Sequence, residues 1–358
     1  MPDRPLVVTA DPALLDDLLR LAAAAGAEVE VAHDMTAARG SWPGAPLVVL
    51  GDDLAAAAAR AEPPRRPGVV LVGVDLDDAR VWQRAVAVGA ETVVFLPDAE
   101  KWLVDRLGDS VDGGRGHALS VAVVGGRGGS GATTLAAALA VTAARLHLRC
   151  LLVDGDPLGG GIDLVLGGED ASGLRWPDLA ATGGRVSGTA LRAALPTVGR
   201  SGALTVLSWD RGDALTVPAD AMRSVLAAAR RTNDLVVVDL PRRVDEAAET
   251  ALAAADLTLL VVPAEVRATA AAARVAVAVG LVAANVRVVV RGPAPAGLTG
   301  PLVAEALGLP LAGWLRAEPG LAESLERGRP PARDGKGPLA AFSAELLRDL
   351  GVLDRPAA

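Results

Sequence analysis

The sequence predicts an α/β protein built from two parallel-sheet domains, and three observations lead to that prediction. Short apolar runs alternate with helix-like segments along most of the chain. One stretch rich in glycine and polar residues, 108–118, interrupts the alternation. The chain has 358 residues, which is more than one ordinary domain requires. Because strands that alternate with helices favour parallel sheets covered on both faces, each half is expected to form such a sheet.

The first domain is predicted to cover residues 1–110. Its five apolar runs are separated by helix-like segments, and they read LVVTA, EVEVA, PLVVL, GVVLVGV and TVVFL. This order predicts a five-stranded parallel sheet with helices on both faces. Residues 111–118 are predicted to be a linker, because the glycines and polar residues there offer no apolar face to bury.

The second domain is predicted to cover residues 119–350, with 351–358 as a tail. Six further apolar runs predict a larger, doubly wound parallel sheet, and they read ALSVAVVGG, LRCLLVDGD, GALTVLSWD, NDLVVVDLP, DLTLLVVPAE and VRVVVRGP. The alanine-rich window 268–285 contains Arg274, and alanine gains little from lipid, so this window is predicted to be a buried helix of a soluble domain.

Composition excludes several classes of function. The net charge is -8 and the pI is near 5.1, which argues against a protein that coats nucleic acid, and no specific nucleic-acid partner is expected. The single cysteine, Cys150, and three scattered histidines cannot assemble a disulfide or a zinc site. The N-terminus carries acids where a secretory signal would be basic. We therefore expect the protein in the cytoplasm.

The most informative segment is VAVVGGRGGSGATTLAAALA, residues 121–140. A strand-like run breaks into glycines, and two threonines then open an alanine-rich helix. Such a turn exposes successive N–H groups to a phosphate above a helix N-terminus. In the usual phosphate-binding loop a lysine neutralises the outer phosphates, and the hydroxyl of the next residue binds magnesium. Ala132 stands at the lysine position, so the segment predicts a phosphate loop without its counter-charge.

This segment resembles the deviant loop of the MinD/ParA ATPases, K-G-G-x-G-K-T-[ST], and matches six of its eight positions. The resemblance implies a site for ATP or ADP with Mg²⁺, and its cofactor-binding positions are Gly128, Gly129, Ser130, Gly131, Ala132, Thr133 and Thr134. It makes Thr133 a magnesium ligand. Arg127 stands where the family has a lysine that reaches the phosphates of a partner subunit, which implies a homodimer. Losing the charge at Ala132 costs on the order of a few kcal/mol, so weak ATP binding and slow or absent hydrolysis are expected.

Later segments resemble the same family. By that resemblance Asp154 lies near magnesium, Asp156 orients the attacking water, and Asp239 is the magnesium-side carboxylate. The asparagine that reads adenine in the family is replaced by Val290, which puts base recognition in doubt. Each motif taken alone has a simpler interpretation, in which the carboxylate caps a helix and the glycines only form a turn.

The first domain resembles a receiver domain, which has the flavodoxin-like fold. That family uses an acid pair after the first strand, a phosphate-accepting aspartate after the third and a late lysine. Here only Asp11 follows the first strand, Asp52 and Asp53 follow the third, and Leu96 stands at the lysine position. Phosphoryl transfer needs the metal and the counter-charge as well as the acceptor. Asp52 and Asp53 are therefore expected to cap the following helix, and the domain to serve docking rather than phosphorylation.

A receiver-like domain ahead of a MinD/ParA-type domain resembles the CpaE-like subgroup and, within it, the septum-site determining proteins of actinobacteria. The resemblance implies a spatial regulator of cell division that inhibits septation, and the alternative is an ATPase switch that positions pilus or secretion machinery. Division, pilus or secretion proteins are the partners expected. The C-terminal segment has two arginines and three acids, so the protein is expected to reach the septum or a pole at the membrane only through a partner.

Overall fold

The computed structural model describes residues 4–73, 75, 76, 78, 80–111, 118–180, 186–199, 201–213, 216–295 and 297–353. The chain divides into two compact units, Met1–Gly114 and Arg115–Ala358. Most of the predicted linker, residues 112–117, and most of the predicted tail, residues 354–358, lie outside the described residues.

The first unit is a five-stranded sheet with the strand order β2-β1-β3-β4-β5, and all its pairs are parallel. The strands are β1 (Leu6–Val8), β2 (Glu30–Ala32), β3 (Val48–Gly51), β4 (Val69–Gly73) and β5 (Thr92–Phe95). The helices are α1 (Pro12–Ala24), α2 (Met35–Ala38), α3 (Asp52–Ala61), α4 (Arg80–Val88) and α5 (Glu100–Val111). One buried cluster joins the sheet to α1 and α5, and another joins it to α2, α3 and α4. The predicted five-stranded parallel sheet with helices on both faces is confirmed.

The second unit is an eight-stranded sheet with the order β13-β12-β11-β6-β10-β7-β9-β8. The strands are β6 (Leu119–Gly125), β7 (Cys150–Asp154), β8 (Thr197–Val198), β9 (Leu204–Leu207), β10 (Leu235–Leu240), β11 (Leu257–Pro263), β12 (Val286–Arg291) and β13 (Leu311–Leu315). The helices are α6 (Ala132–Arg145), α7 (Ile162–Leu166), α8 (Trp176–Ala180), α9 (Gly188–Ala194), α10 (Ala219–Thr232), α11 (Glu246–Ala254), α12 (Val266–Gly280), α13 (Gly300–Leu307), α14 (Leu321–Glu326) and α15 (Pro338–Asp349).

Successive residues of the central strands face opposite cores, which explains why these strands read as unbroken apolar runs. In β6, Val121 and Val123 pack with α6 and α15, whereas Ala122 and Val124 pack with α10, α11 and α12. Residues 135–144 of α6 are all buried, because the helix lies between the sheet and α15. Its alanines favour the helix and allow the close approach that this position requires.

The sequence prediction missed two edge strands, β8 and β13, and the exposed face of the helix α12. The strand β8 pairs antiparallel with β9, and β13 extends the other edge of the sheet. Both are short edge elements with weak apolar patterns. The prediction that window 268–285 is a buried helix was wrong in part, because α12 buries only Ala268, Ala272 and Val279. Among the described residues, none of the helices is long and apolar enough to cross a membrane.

Candidate functional site

The loop between β6 and α6 has a backbone that requires glycine. Gly129 has φ +69° and Gly131 has φ +93°, a left-handed conformation that side chains disfavour. A Cβ on Gly126 would stand 2.7 Å from the Cβ of Ala272 in α12, so this position also excludes a side chain. The loop is held to the sheet by a hydrogen bond from the Gly126 N–H to the Val261 carbonyl, 2.9 Å long. The predicted glycine turn is therefore present at the N-terminus of α6.

A cavity of about 400 Å³ lies over this loop, at the carboxyl ends of β6 and β10. Ten of the eleven predicted site residues line it, and they are Arg127, Gly128, Gly129, Ser130, Gly131, Ala132, Thr133, Thr134, Asp156 and Asp239. Leu240 and Arg242 complete the wall on the β10 side. Open α/β sheets bind their ligands at this edge, beside strands that diverge to opposite sides of the sheet.

Asp239, near the end of β10, is only 3% exposed, and Thr133 at the start of α6 donates a hydrogen bond to its carboxylate. Burial raises the pKa of Asp239 to about 8, although the bond from Thr133 acts in the opposite direction. A hydroxyl and a carboxylate on adjacent elements form the pair that magnesium nucleotides need from a protein, since Mg²⁺ takes most of its other ligands from phosphate and water.

Asp154, at the end of β7, is the predicted site residue that does not line the cavity. Its carboxylate accepts hydrogen bonds from the N–H groups of Asp156, at 3.2 Å, and Ile162, at 3.0 Å. Burial raises the pKa of Asp154 to about 6, against the effect of these two bonds. Asp154 therefore fixes the glycine-rich turn after β7, and that turn places Asp156 in the cavity wall.

Arg127, in the loop itself, makes an ion pair within the chain. Its Nη2 lies 2.9 and 3.0 Å from the two carboxylate oxygens of Glu265, just before α12. The side chains are 34% and 42% exposed, so the pair contributes roughly 0–1 kcal/mol. Arg127 can contact a second subunit only after this ion pair opens. Because both side chains are partly exposed, opening the pair costs little free energy.

Sequence reasoning missed two arginines beside the loop. Arg242 follows β10 by two residues, and its Nη1 lies 3.7 Å from the position that a Cβ on Gly128 would occupy. Arg291 ends β12 and lies against Gly131, and its Nη2 is 3.5 Å from the Gly129 carbonyl. Burial lowers the pKa of Arg291, and the nearby Arg127 guanidinium adds to that effect. No local motif marks either residue, because each meets the loop only through the fold.

A second cavity of about 160 Å³ continues from Gly131 and Thr134 toward the ends of β12 and β13. Arg291 and Leu315 are among its lining residues. Val290 is fully buried in the sheet and does not line it. This residue cannot hydrogen-bond a base, which agrees with the doubt that the sequence raised about base recognition.

The three acids of the first unit that stand at receiver-type positions, Asp11, Asp52 and Asp53, each have protein partners. Asp53 accepts hydrogen bonds from the Thr9 hydroxyl and from the Ala10 and Asp11 N–H groups. Asp52 is paired with Arg84, at 2.6 Å from the guanidinium Nε. The prediction that Asp52 and Asp53 cap the following helix was wrong. The N-cap of α3 is Gly51, without a side-chain hydrogen bond, although both acids lie in the first turn, where the helix dipole favours them.

Arg84 holds two carboxylates together in this unit. It is 22% exposed and pairs with both Asp52 and Asp78, and its hydrogen bond to Asp78 lowers the pKa of that group below its usual range. We expect Arg84→Met to leave two like charges adjacent and destabilise the first unit by about 1–3 kcal/mol. Hydrogen exchange of the β3 and β4 amides would measure this. Arg80→Met, at a side chain 79% exposed, is the matched control and should have little effect. Equal protection in both variants would contradict the expectation.

The raised pKa of Asp239 predicts a pH dependence of stability. An unfolded aspartate titrates near about 4. Between there and pH 8 the folded protein binds more protons than the unfolded chain, so its stability falls as pH rises, by up to about 1.4 kcal/mol per pH unit. We expect Asp239→Asn, in magnesium-free buffer, to gain stability relative to wild type between pH 5 and pH 8 in urea unfolding. The exposed Asp220→Asn is the control, and parallel curves for all three proteins would refute the prediction.

Comparison with known proteins adds four findings on the sequence. A family model described as the Rv3660c-like, CheY-like N-terminal domain matches residues 8–118. A model described as the cellulose biosynthesis protein BcsQ matches residues 119–280. Two Mycobacterium tuberculosis proteins, MT3760 and Rv3660c, are each 44% identical to this chain over 350 residues, which is 96% of this chain and 96% of each relative.

Solved structures resemble the second unit. MinD in the MinC:MinD cell division complex of Aquifex aeolicus is 25% identical with a TM-score of 0.56, over 65% of this chain and 96% of that one. A ParA family ATPase from Chlorobium tepidum is 16% identical with a TM-score of 0.57, over 64% and 98%. MinD of Pyrococcus horikoshii, complexed with Mg-ADP, is 17% identical with a TM-score of 0.55, over 66% and 98%. The chain is thus an α/β protein with a CheY-like unit followed by a unit of the MinD/ParA fold.

Proposed function

This chain belongs to the family of the Mycobacterium tuberculosis protein Rv3660c, and from that premise we propose that it is a spatial regulator of cell division of the MinD type. It determines the septum site by inhibiting septation, in the manner of the septum-site determining proteins that its sequence resembles. It binds ATP or ADP weakly and hydrolyses ATP slowly or not at all. The bound nucleotide would determine the protein's conformation and its choice of partner, and ATP hydrolysis would not drive movement.

One observation carries this proposal. The glycine loop, Thr133 and Asp239 line one cavity, while Ala132 stands at the point where the MinD/ParA loop has its lysine. The shape of a phosphate site is retained and one of its charges is absent. The MinC:MinD complex of Aquifex aeolicus is named a cell division protein complex, and MinD of Pyrococcus horikoshii, named a septum site-determining protein, is complexed with Mg-ADP. A binding site that holds nucleotide without turning it over suits a regulator better than a motor.

The residues present fit a magnesium nucleotide. The N–H groups of the loop and the N-terminus of α6 would bind the phosphates, and Thr133 and Asp239 would hold Mg²⁺. Among the described residues no group of three or more histidine, cysteine or acidic side chains could hold a metal ion, so the phosphates would have to complete the coordination. When bound, Mg²⁺ supplies charge neutralisation of the outer phosphates. Asp156 would orient a water at the cavity wall.

A second copy of the chain is the first partner that we propose. Arg127 is the residue that would reach the other subunit's phosphates once its pair with Glu265 opens. A division protein would be the second partner, since MinD of Aquifex aeolicus is complexed with MinC. The final helix α15 packs on α6 through Leu339, Leu346 and Leu347. It therefore offers no free apolar face to lipid, and recruitment from the cytoplasm to the septum or a pole would pass through a partner.

The alternative, a CpaE-like switch that positions pilus or secretion machinery, is favoured by the receiver-like unit ahead of the second unit. Controlled expression of the full chain in a mycobacterial host separates the two functions. Septum control predicts longer cells with fewer septa and an unchanged position of a fluorescently labelled secretion ATPase. Normal septum counts with a displaced secretion ATPase would reject septum control and support the alternative.

A further inference from the structure

We propose that the guanidinium of Arg242 replaces the missing lysine as the counter-charge for a nucleoside polyphosphate bound in the loop cavity. This inference rests on the proposed function, because it names the residue that makes nucleotide binding at the same site feasible. The charge would reach the phosphates from the segment after β10 instead of from the first turn of α6.

The position of Arg242 follows from the sheet order. Strand β10 lies beside β6, the strand that leads into the loop, and the two run parallel. Their carboxyl ends therefore meet at one edge of the sheet. Asp239 faces the cavity from the end of β10, and Arg242 follows after Leu240 and Pro241. Two residues of one short segment thus offer a carboxylate to Mg²⁺ and a guanidinium to phosphate.

The Arg242 guanidinium lies close to the glycine loop that would bind the phosphates. The Arg242 Nη1 lies 3.7 Å from the position of a Cβ on Gly128, and Arg242 shares the cavity wall with Ala132 and Thr133. The guanidinium is therefore within ordinary van der Waals distance of the loop. A lysine at 132 and an arginine at 242 would therefore reach the same cavity from two sides.

The donors of Arg242 are unengaged. Within the part of the chain that the structure describes, it has no hydrogen bond and no ion pair. Of the other two arginines near the loop, Arg127 is paired with Glu265, and Arg291, whose contact with the Gly129 carbonyl is long at 3.5 Å, lines the second cavity and not this one. Arginine presents a planar fork that matches phosphate oxygens with two parallel hydrogen bonds. Among the described residues that line the cavity, Arg242 is thus the cation that no protein group pairs.

Binding of Mg-ATP to the purified full-length protein tests the inference by calorimetric titration. We expect Arg242→Gln to weaken binding at least about tenfold, the loss expected when a charge-assisted hydrogen bond is removed. Arg243→Gln, at the adjacent arginine, which does not line the cavity, should bind as wild type does. Ala132→Lys introduced into Arg242→Gln should restore the affinity, because it returns the charge to its usual place. Melting temperatures without ligand identify any variant that fails to fold.

The outcomes separate the two claims. Equal affinities of wild type and Arg242→Gln would overturn the inference and leave the proposed nucleotide site intact. A loss in Arg242→Gln that Ala132→Lys does not restore would also overturn it, because the arginine would then act by some means other than its charge. No binding to wild type at millimolar Mg-ATP would overturn the inference and the proposed nucleotide site together.

Discussion

Ala132→Lys is expected to bind Mg-ATP at least about tenfold more tightly than wild type. A hydrogen bond to a charged group contributes about 1.5–3 kcal/mol, and about 1.4 kcal/mol corresponds to a factor of ten in affinity. The rest of the site is already formed, because the glycine turn, Thr133 and Asp239 line the same cavity as Ala132. The lysine would enter a prepared site, so little binding energy is lost to rearrangement.

Ala132→Met is the matched control for this experiment. Methionine is close to lysine in length and fills the same space without a charge. Titration of a fluorescent ATP analogue into the three proteins would separate charge from shape. A gain in the lysine variant alone is the expected result. Equal gains in both variants, or none in either, would contradict the view that a charge at position 132 strengthens phosphate binding.

Trp176→Ala is expected to destabilise the second unit by about 3–5 kcal/mol. Trp176 is 1% exposed, and its indole N–H donates to the Asp154 carbonyl at 2.6 Å. It also packs at 6.4 Å, between ring centroids, from Trp209. The substitution removes a large buried ring and leaves the backbone at the end of β7 without its donor, so we also expect weaker nucleotide binding through the displaced turn that carries Asp156.

Two further variants divide that effect into its parts. Trp176→Phe keeps a buried ring and loses only the hydrogen bond, so it should cost about 1–2 kcal/mol. Trp314→Ala, at a ring 37% exposed in the same unit, should cost less than Trp176→Ala. Urea unfolding followed by circular dichroism would rank the three variants. A cost for Trp176→Ala no greater than that for Trp314→Ala would refute the prediction.

Much of the fold was predictable because it depends on local pattern. The central strands β6, β7, β10 and β11 are buried on both faces, so each reads as an unbroken apolar run. The loop glycines were predictable for a similar reason, since Gly129 and Gly131 need a backbone conformation that other residues disfavour. The short edge strands β8 and β13 lack such a pattern and were missed.

The parts that could not be predicted depend on contacts between distant residues. Arg127 and Glu265 are 138 positions apart, and Arg84 reaches Asp52 across 32 positions. Asp52 and Asp53 stand where helix-capping acids commonly occur. In the fold, however, Asp52 pairs with an arginine and Asp53 accepts hydrogen bonds from the turn after β1. The position of Arg242 could not be predicted for the same reason, because it lies beside the loop only through the order of the strands in the sheet.

We propose that this protein has kept the nucleotide site of the MinD/ParA fold and has lost most or all of its turnover. The most direct test combines a Mg-ATP titration of the purified full-length protein with phosphate release measured on the same sample. We expect saturable, weak, magnesium-dependent binding with phosphate release that is slow or absent. Sustained release that Arg127→Ala abolishes would contradict it, because the protein would then be an active ATPase switch that completes its site across a dimer.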